Sequence, residues 1–195
     1  MQAFIHYIQQ FGYFGLFILV FFESFPMTFF FPGDSLLFTT GFLASQGYFS
    51  LGLLIFTFFI AGTIGYIFSY LFGQRIIKRF FTNEKSKIFN PKYIVYTKEF
   101  FKRYGAKTII IGRFVPIVRS FGPALAGLAD VTFNRFLVYT FIGGVFWSVG
   151  MTSLGFYLGK IIPQAETFLT PIILGIVALS ILPSVLEYFK KNSSQ

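Results

Sequence analysis

Four ionisable side chains lie within or beside two interrupted apolar tracts of the sequence: Glu23, Asp34, Arg113 and Arg119. A single charge at the centre of a bilayer costs about 2.5–3.5 kcal/mol, so we expect these side chains to face inward, to pair or to meet water. Two guanidinium groups that converge can hold a phosphate through paired hydrogen bonds and fit its oxygens better than lysine would. The four residues therefore predict an anion site in which the carboxylates are partners of the arginines.

The spacing of the two arginines requires a break in the helix between them. Arg113 and Arg119 are six residues apart with Pro116 between them, and an unbroken helix would separate them by about 240°. A break at Pro116 would let both guanidinium groups converge, and helix N-termini at such breaks favour an anion. A bound anion would release Glu23 or Asp34 and favour its protonation, which would couple the site to protons. The alternative is that these residues form structural ion pairs only.

The composition is that of an integral membrane protein. Of 195 residues, 55% are hydrophobic and 12% are charged, whereas a soluble domain carries about 25% charged residues. The chain has no Cys and one His, His6, which argues against a thiolate or multi-histidine metal centre. We expect no metal, no cofactor and no enzymatic activity, because a lipid phosphatase commonly needs a catalytic His or a carboxylate-rich metal cluster.

Most of the positive charge lies in one stretch of the chain. Residues 75–107 contain ten of the 16 basic residues, and long apolar tracts flank them. The positive-inside rule places this loop in the cytoplasm, together with both termini. Within it, Ile94, Thr97, Phe101 and Tyr104 recur at helical spacing, which predicts an amphipathic helix on the anionic inner leaflet. No nucleic-acid motif accompanies the charge, so we do not expect nucleic acid as a partner.

Four apolar tracts have the character of membrane-spanning helices: residues 8–24, 51–73, 133–159 and 164–187. The first is marginal in length, and the others suffice to cross a bilayer of about 30 Å. The start of the sequence has neither a basic segment nor a small-residue cleavage site, so we expect no removable signal peptide.

Two further apolar tracts, residues 25–46 and 108–129, are interrupted. Breaks are expected at Pro32 and Gly33 in the first and at Pro116 and Pro123 in the second. Each tract is long enough for two limbs that reach mid-membrane and return as a re-entrant hairpin. The order of hairpin and long helix occurs twice, which predicts an inverted repeat with its site near the midplane.

These expectations define an all-α membrane protein in a single integral domain, residues 1–195. The first half is residues 10–74, the basic cytoplasmic loop is residues 75–107, and the second half is residues 108–187. A chain of this kind is multi-pass, and its oligomeric state stays open between a monomer and a homo-oligomer.

The residues around the predicted site also carry a resemblance to a known family. Glu23, Phe31-Pro-Gly-Asp34 and Gly112-Arg-Phe-Val-Pro-Ile-Val-Arg119, followed by Pro123-Ala-Leu-Ala-Gly127, resemble the DedA family, also called the SNARE-associated or VTT domain. The likeness covers roughly residues 10–160. It implies a bacterial inner-membrane protein with two opposed re-entrant hairpins. The family's essential acids correspond to Glu23 and Asp34, and its essential arginines to Arg113 and Arg119.

The resemblance further implies lipid transport, with undecaprenyl phosphate recycled as the substrate in some members, dependence on the proton-motive force and a role in envelope integrity. The function that we expect is therefore a flippase for a polyprenyl phosphate, coupled to protons. A general phospholipid scramblase and a proton-coupled small-ion transporter remain as alternatives.

Two other features have competing interpretations. Trp147 and the tyrosines are expected to be packing residues or interface anchors. Gly155 and Gly159 form a GxxxG pattern, which could make a dimer face or allow close packing within the monomer. Close packing is the favoured interpretation.

Overall fold

The computed structural model describes residues 2–25, 33–77 and 92–161. These residues belong to two compact units. Of the described residues, the first unit contains 2–25, 55–77 and 92–150, and the second contains 33–54 and 151–161.

The described residues form seven α-helices, with no strand in these ranges. They are α1 (Gln2–Glu23), α2 (Gly33–Ser45), α3 (Leu51–Phe72), α4 (Lys92–Tyr104), α5 (Thr108–Gly112), α6 (Pro116–Leu128) and α7 (Phe133–Ile161). A π-helical turn, Gly73–Ile77, extends α3.

Two of the described helices are long and apolar enough to cross a membrane. The segment Leu51–Ile76 has 26 residues and Phe133–Ile161 has 29, and at 1.5 Å per residue the shorter of them reaches about 39 Å. They coincide with the predicted spans 51–73 and 133–159. The apolar part of α1, Gly12–Glu23, is shorter, and the predicted span 164–187 lies outside the described residues. These two helices are consistent with a helical membrane protein, while the re-entrant hairpins and the inverted repeat remain predictions.

The interrupted segment 108–129 forms two helices of unequal length. α5 has 5 residues, α6 has 13, and residues 113–115 join them. Pro116 is the first residue of α6, where its fixed φ suits a helix start and its missing N–H has no helical partner to lose.

The expected break at Pro123 is wrong. Pro123 lies inside α6, which continues to Leu128. A proline within a helix removes one hydrogen bond, here the one to the carbonyl of Arg119, and the helix continues where packing holds both sides of the proline. Gly33 begins α2, and Pro32 lies outside the described residues.

Close backbone contacts hold α6 against the end of α3. A side chain at Gly127 would collide with the carbonyl of Tyr70, and one at Gly73 would collide with the carbonyl of Ala124. Glycines at such positions let two helices approach until their backbones touch. The same tyrosine anchors the turn after α6, since its hydroxyl donates a hydrogen bond of 2.6 Å to the carbonyl of Val131.

The second unit is packed in the same manner. A side chain at Gly155 of α7 would collide with the carbonyl of Phe38 in α2, and one at Gly41 of α2 would collide with the carbonyl of Thr152. Gly159 lies against Ser45 and Phe42 of α2. The GxxxG pattern therefore serves close packing within the chain, as the favoured interpretation predicted.

The substitution Gly155→Ala is expected to destabilise the second unit. The added methyl has no room beside the carbonyl of Phe38, and overpacking of this kind typically costs about 1–3 kcal/mol. Gly150→Ala in the same helix is the control, because a side chain at Gly150 meets nothing within 4 Å. Thermal unfolding in detergent would measure both variants. A Gly155→Ala protein that is as stable as the Gly150→Ala protein would contradict this packing.

Candidate functional site

In the first unit, four segments of the chain meet around a small buried cavity of about 10 Å³. They are the C-terminal end of α1, the middle of α3, the α5–α6 region and the middle of α7. The lining residues are Val20, Glu23, Ser24, Gly62, Tyr66, Arg113, Arg119 and Trp147. A cavity of this size has room for about one water molecule.

Glu23 and Arg119 form a salt bridge between α1 and α6. Both side chains are buried, with 4% and 5% of their surface exposed. The neighbouring Ser120 donates a hydrogen bond of 3.4 Å to the backbone carbonyl of Glu23. Two charges out of water are stable only when they are well paired, so this pair ties the two helices together.

Arg113 lies in the turn between α5 and α6 and is 1% exposed. Its Nη2 donates a hydrogen bond of 3.4 Å to the carbonyl of Gly62, and its guanidinium carbon lies 3.9 Å from the ring centroid of Tyr66. Within the described residues, its Nε has no hydrogen-bond partner. The guanidinium is thus held by the carbonyl of Gly62 and the ring of Tyr66, and its Nε retains donor capacity.

Trp147 of α7 contacts both arginines. The guanidinium carbons of Arg113 and Arg119 lie 5.7 Å and 5.8 Å from its rings, within the range of about 6 Å for cation–π attraction. One indole therefore brings together the two arginines that the sequence predicts as a phosphate site.

Sequence reasoning missed the roles of Trp147 and Tyr66. Both side chains are buried, in agreement with the expected packing role, but their contacts with the arginines were not expected. A signal was present in their positions, because both lie near the middle of a long apolar helix, whereas interfacial aromatic anchors lie near helix ends.

Among the residues that the structure describes, the side chains lining this cavity carry more positive than negative charge. Arg113, Arg119 and Glu23 line the same cavity, so two guanidinium groups share it with one carboxylate. A buried net charge is unfavourable unless a counter-charge compensates it. The chemistry that the arrangement favours is the binding of an anion whose oxygens accept hydrogen bonds from arginine.

Asp34, the remaining predicted site residue, belongs to the second unit. It lies in the first turn of α2 and is partly buried. Its role as a partner of the arginines remains a prediction.

The comparison with known families agrees with the resemblance read from the motifs. The VTT domain family matches residues 31–157, a range that contains Asp34, Arg113 and Arg119. The chain belongs to the VTT-domain family. This result confirms the assignment that rested on Glu23, Asp34 and the run from Gly112 to Gly127.

Three relatives are similar to this chain over most of its length. Protein DedA of Escherichia coli strain K12 is 38% identical over 178 residues, 90% of this chain and 81% of the relative. A membrane protein of Mycobacterium leprae is 35% identical over 181 residues, 91% and 80% of the two chains. The inner membrane protein YqjA of Escherichia coli is 31% identical over 150 residues, 76% and 68% of the two chains. No solved structure matches this VTT-domain chain.

Proposed function

We propose that this protein moves an anionic lipid across the bacterial inner membrane by binding its phosphate at Arg113 and Arg119. The observation that carries the proposal is the buried cluster in which two guanidinium groups and one carboxylate line one cavity. A phosphate there would accept hydrogen bonds from both guanidinium groups and place negative charge beside them. We further propose a polyprenyl phosphate, of the undecaprenyl phosphate class, as the lipid.

The chemistry of Arg113 supports a phosphate ligand. Its guanidinium is fixed from the side of α3 by Gly62 and Tyr66, so its orientation does not depend on the ligand. Arginine presents five N–H donors in a planar fork, and two of them match two phosphate oxygens. Because the guanidinium of Arg113 is already held in place and retains unused N–H donors, it binds a phosphate with little loss of side-chain entropy.

Transport requires the cluster to open. A cavity of about 10 Å³ has room for about one water molecule and none for a phosphate with its first isoprene unit. We propose that the turn at residues 113–115, which separates α5 from α6, allows the arginines to become accessible from each side of the membrane in turn. The polyprenyl tail remains in the hydrocarbon throughout.

The salt bridge of Glu23 provides a route for coupling to protons. A phosphate that takes Arg119 displaces the carboxylate of Glu23, and a carboxylate without its cation in a buried site favours protonation. We propose that Glu23 then carries a proton across with the lipid, that Asp34 serves as a second acid, and that the proton-motive force drives the cycle.

Reconstituted vesicles test the transport proposal. Fluorescent lipids with polyprenyl phosphate, phosphatidylglycerol or phosphatidylcholine head groups are supplied with and without a pH gradient, and movement between leaflets is measured. We expect polyprenyl phosphate to move fastest and the gradient to accelerate it. Equal movement of all three lipids without a gradient effect would indicate a scramblase instead, and ion flux without lipid movement would indicate a small-ion transporter.

The single tryptophan gives a direct measure of binding. Trp147 is the only Trp of the chain and lies beside both guanidinium groups. Addition of a short-chain polyprenyl phosphate to the purified protein is expected to change its fluorescence in a saturable manner, and the corresponding alcohol is expected to have no effect. Equal responses to the phosphate and the alcohol would show that the arginines do not bind the phosphate.

A further inference from the structure

A second, larger cavity lies in the first unit, beside a face of α6 that does not include Arg119. It is an apolar groove of about 410 Å³ between α4, α5 and α6, within the range of about 300–1,000 Å³ that is typical of small-molecule sites. Its main walls are the side chains of Tyr96, Phe100, Phe101, Val118, Phe121 and Leu125.

The groove and the candidate phosphate site occupy different faces of α6. Arg119 is buried, at 4% exposure, whereas Val118 and Leu125 are 42% and 39% exposed. The two cavities share no lining residue. A ligand in the groove therefore has no contact with the guanidinium groups.

The position of α4 differs in part from the sequence expectation. Of its predicted apolar face, Phe101 packs against the core around Tyr66, Tyr70 and Phe136 and thus faces the protein. Tyr104 of that face is exposed instead, and together with Tyr96 and Phe100, at positions four residues apart, it forms a stripe of exposed rings, at 46%, 62% and 46% exposure. α4 is therefore fixed to the protein on one side and presents aromatic rings beside the groove on the other.

Basic residues adjoin the groove residues in the chain where α4 passes into α5. Lys102, Arg103 and Lys107 are exposed there, next to the groove residues Phe101 and Thr108. Lys98, in contrast, forms a salt bridge of 3.0 Å with Asp130. Cations beside an apolar groove match an anionic head group attached to a hydrocarbon chain.

We infer that this groove binds an anionic phospholipid of the bilayer, with one acyl chain in the groove and its head group at Arg103 and Lys107. The groove is apolar, as the chain requires, and the adjacent cations match the phosphate. The protein lies in a membrane, so such lipids surround it. The bound lipid is a resident of the protein, distinct from the transported lipid, because α6 separates the groove from Arg119.

Native mass spectrometry of the full-length protein in mild detergent tests this site. Phosphatidylglycerol and phosphatidylcholine with identical chains are titrated in parallel. We expect one phosphatidylglycerol to bind preferentially, and Gly122→Leu to lower the binding of both lipids about tenfold. A side chain at Gly122 has room, since its Cβ would lie 3.8 Å from Val118, and it fills the groove. Gly52→Leu, on an exposed glycine with open space, is the matched control and is expected to bind like the wild type.

The head-group contact has its own pair of variants. The double variant Arg103→Gln with Lys107→Gln is expected to lower the preference for phosphatidylglycerol about fivefold for each charge removed, without changing phosphatidylcholine binding. Arg75→Gln, on an exposed arginine elsewhere, is expected to keep the preference. The inference is overturned if Gly122→Leu binds lipid as Gly52→Leu does, if wild type shows no preference, or if a second protein copy takes the place of lipid.

Failure of this inference is distinguishable from failure of the proposed transport. Gly122→Leu is expected to retain the response of Trp147 to polyprenyl phosphate, and Arg113→Lys is expected to retain phosphatidylglycerol binding. Loss of both properties in either variant would show that the groove and the cluster form one site, which would overturn the assignment of a separate resident lipid.

Discussion

Arg113→Lys is expected to lower lipid movement in vesicles about 10- to 100-fold, because hydrogen bonds to a charged group contribute about 1.5–3 kcal/mol and each 1.4 kcal/mol changes a rate about tenfold. The positive charge is retained, but the planar fork is lost. The three N–H donors of a lysine are arranged tetrahedrally, so they do not point in parallel at two phosphate oxygens, and lysine stacks less well on Tyr66. The measurement is the initial rate of polyprenyl phosphate movement per inserted protein.

The control for this variant is Arg135→Lys, which makes the same change on an exposed arginine in the first turn of α7. It is expected to transport like the wild type. Normal insertion of Arg113→Lys, measured by its yield in the membrane fraction, would show that the loss is functional. Wild-type transport by Arg113→Lys would contradict bidentate recognition, because charge alone would then suffice.

Glu23→Leu is expected to have the largest effect on stability. The substitution removes the carboxylate that pairs with Arg119 in a buried site, and removal of one partner from a buried ion pair costs about 3–5 kcal/mol. The comparison variant is Lys98→Gln, which breaks the salt bridge between Lys98 and Asp130. The side chains of Lys98 and Asp130 are 47% and 39% exposed, and exposed pairs of this kind contribute at most about 1 kcal/mol. Unfolding in detergent would measure the two variants side by side.

A double variant separates the structural role of this pair from its functional role. Glu23→Leu combined with Arg119→Leu removes both buried charges, and apolar replacements of a buried pair are often neutral for stability. We expect this variant to regain most of the stability lost in Glu23→Leu and to transport no lipid. If it transported lipid at the wild-type rate, Glu23 and Arg119 would be a structural ion pair only, the alternative that the sequence leaves open.

A different substitution of Glu23 tests whether this residue carries the proton. Glu23→Gln keeps the size of the side chain and a hydrogen-bond acceptor for Arg119, but it cannot exchange a proton at neutral pH. If Glu23 carries the proton, the remaining transport by this variant should not respond to a pH gradient. Acceleration by the gradient as in the wild type would assign the proton to another acid, with Asp34 as the next residue to examine.

The sequence by itself determined the class of protein and the identity of the charged residues. Apolar content, long apolar tracts and the clustering of basic residues are sums over neighbouring positions, so they identify α3, α7 and the basic helix α4 without knowledge of the fold. The cost of a charge in hydrocarbon is also independent of the fold. That cost singles out Glu23, Arg113 and Arg119 in the sequence, and the structure places these three residues around one cavity.

Only the tertiary structure decided what those charges contact. Ser120 and Glu23 are 97 residues apart in the chain, and no local pattern predicts which partners meet across such a distance. The positions of Tyr66 and Trp147 against the guanidinium groups, and the continuity of α6 through Pro123, depend on which helices pack together. The packing of α6 against its neighbours stabilises the helix by more than the loss of one hydrogen bond costs. It therefore overrides the local helix-breaking preference of Pro123.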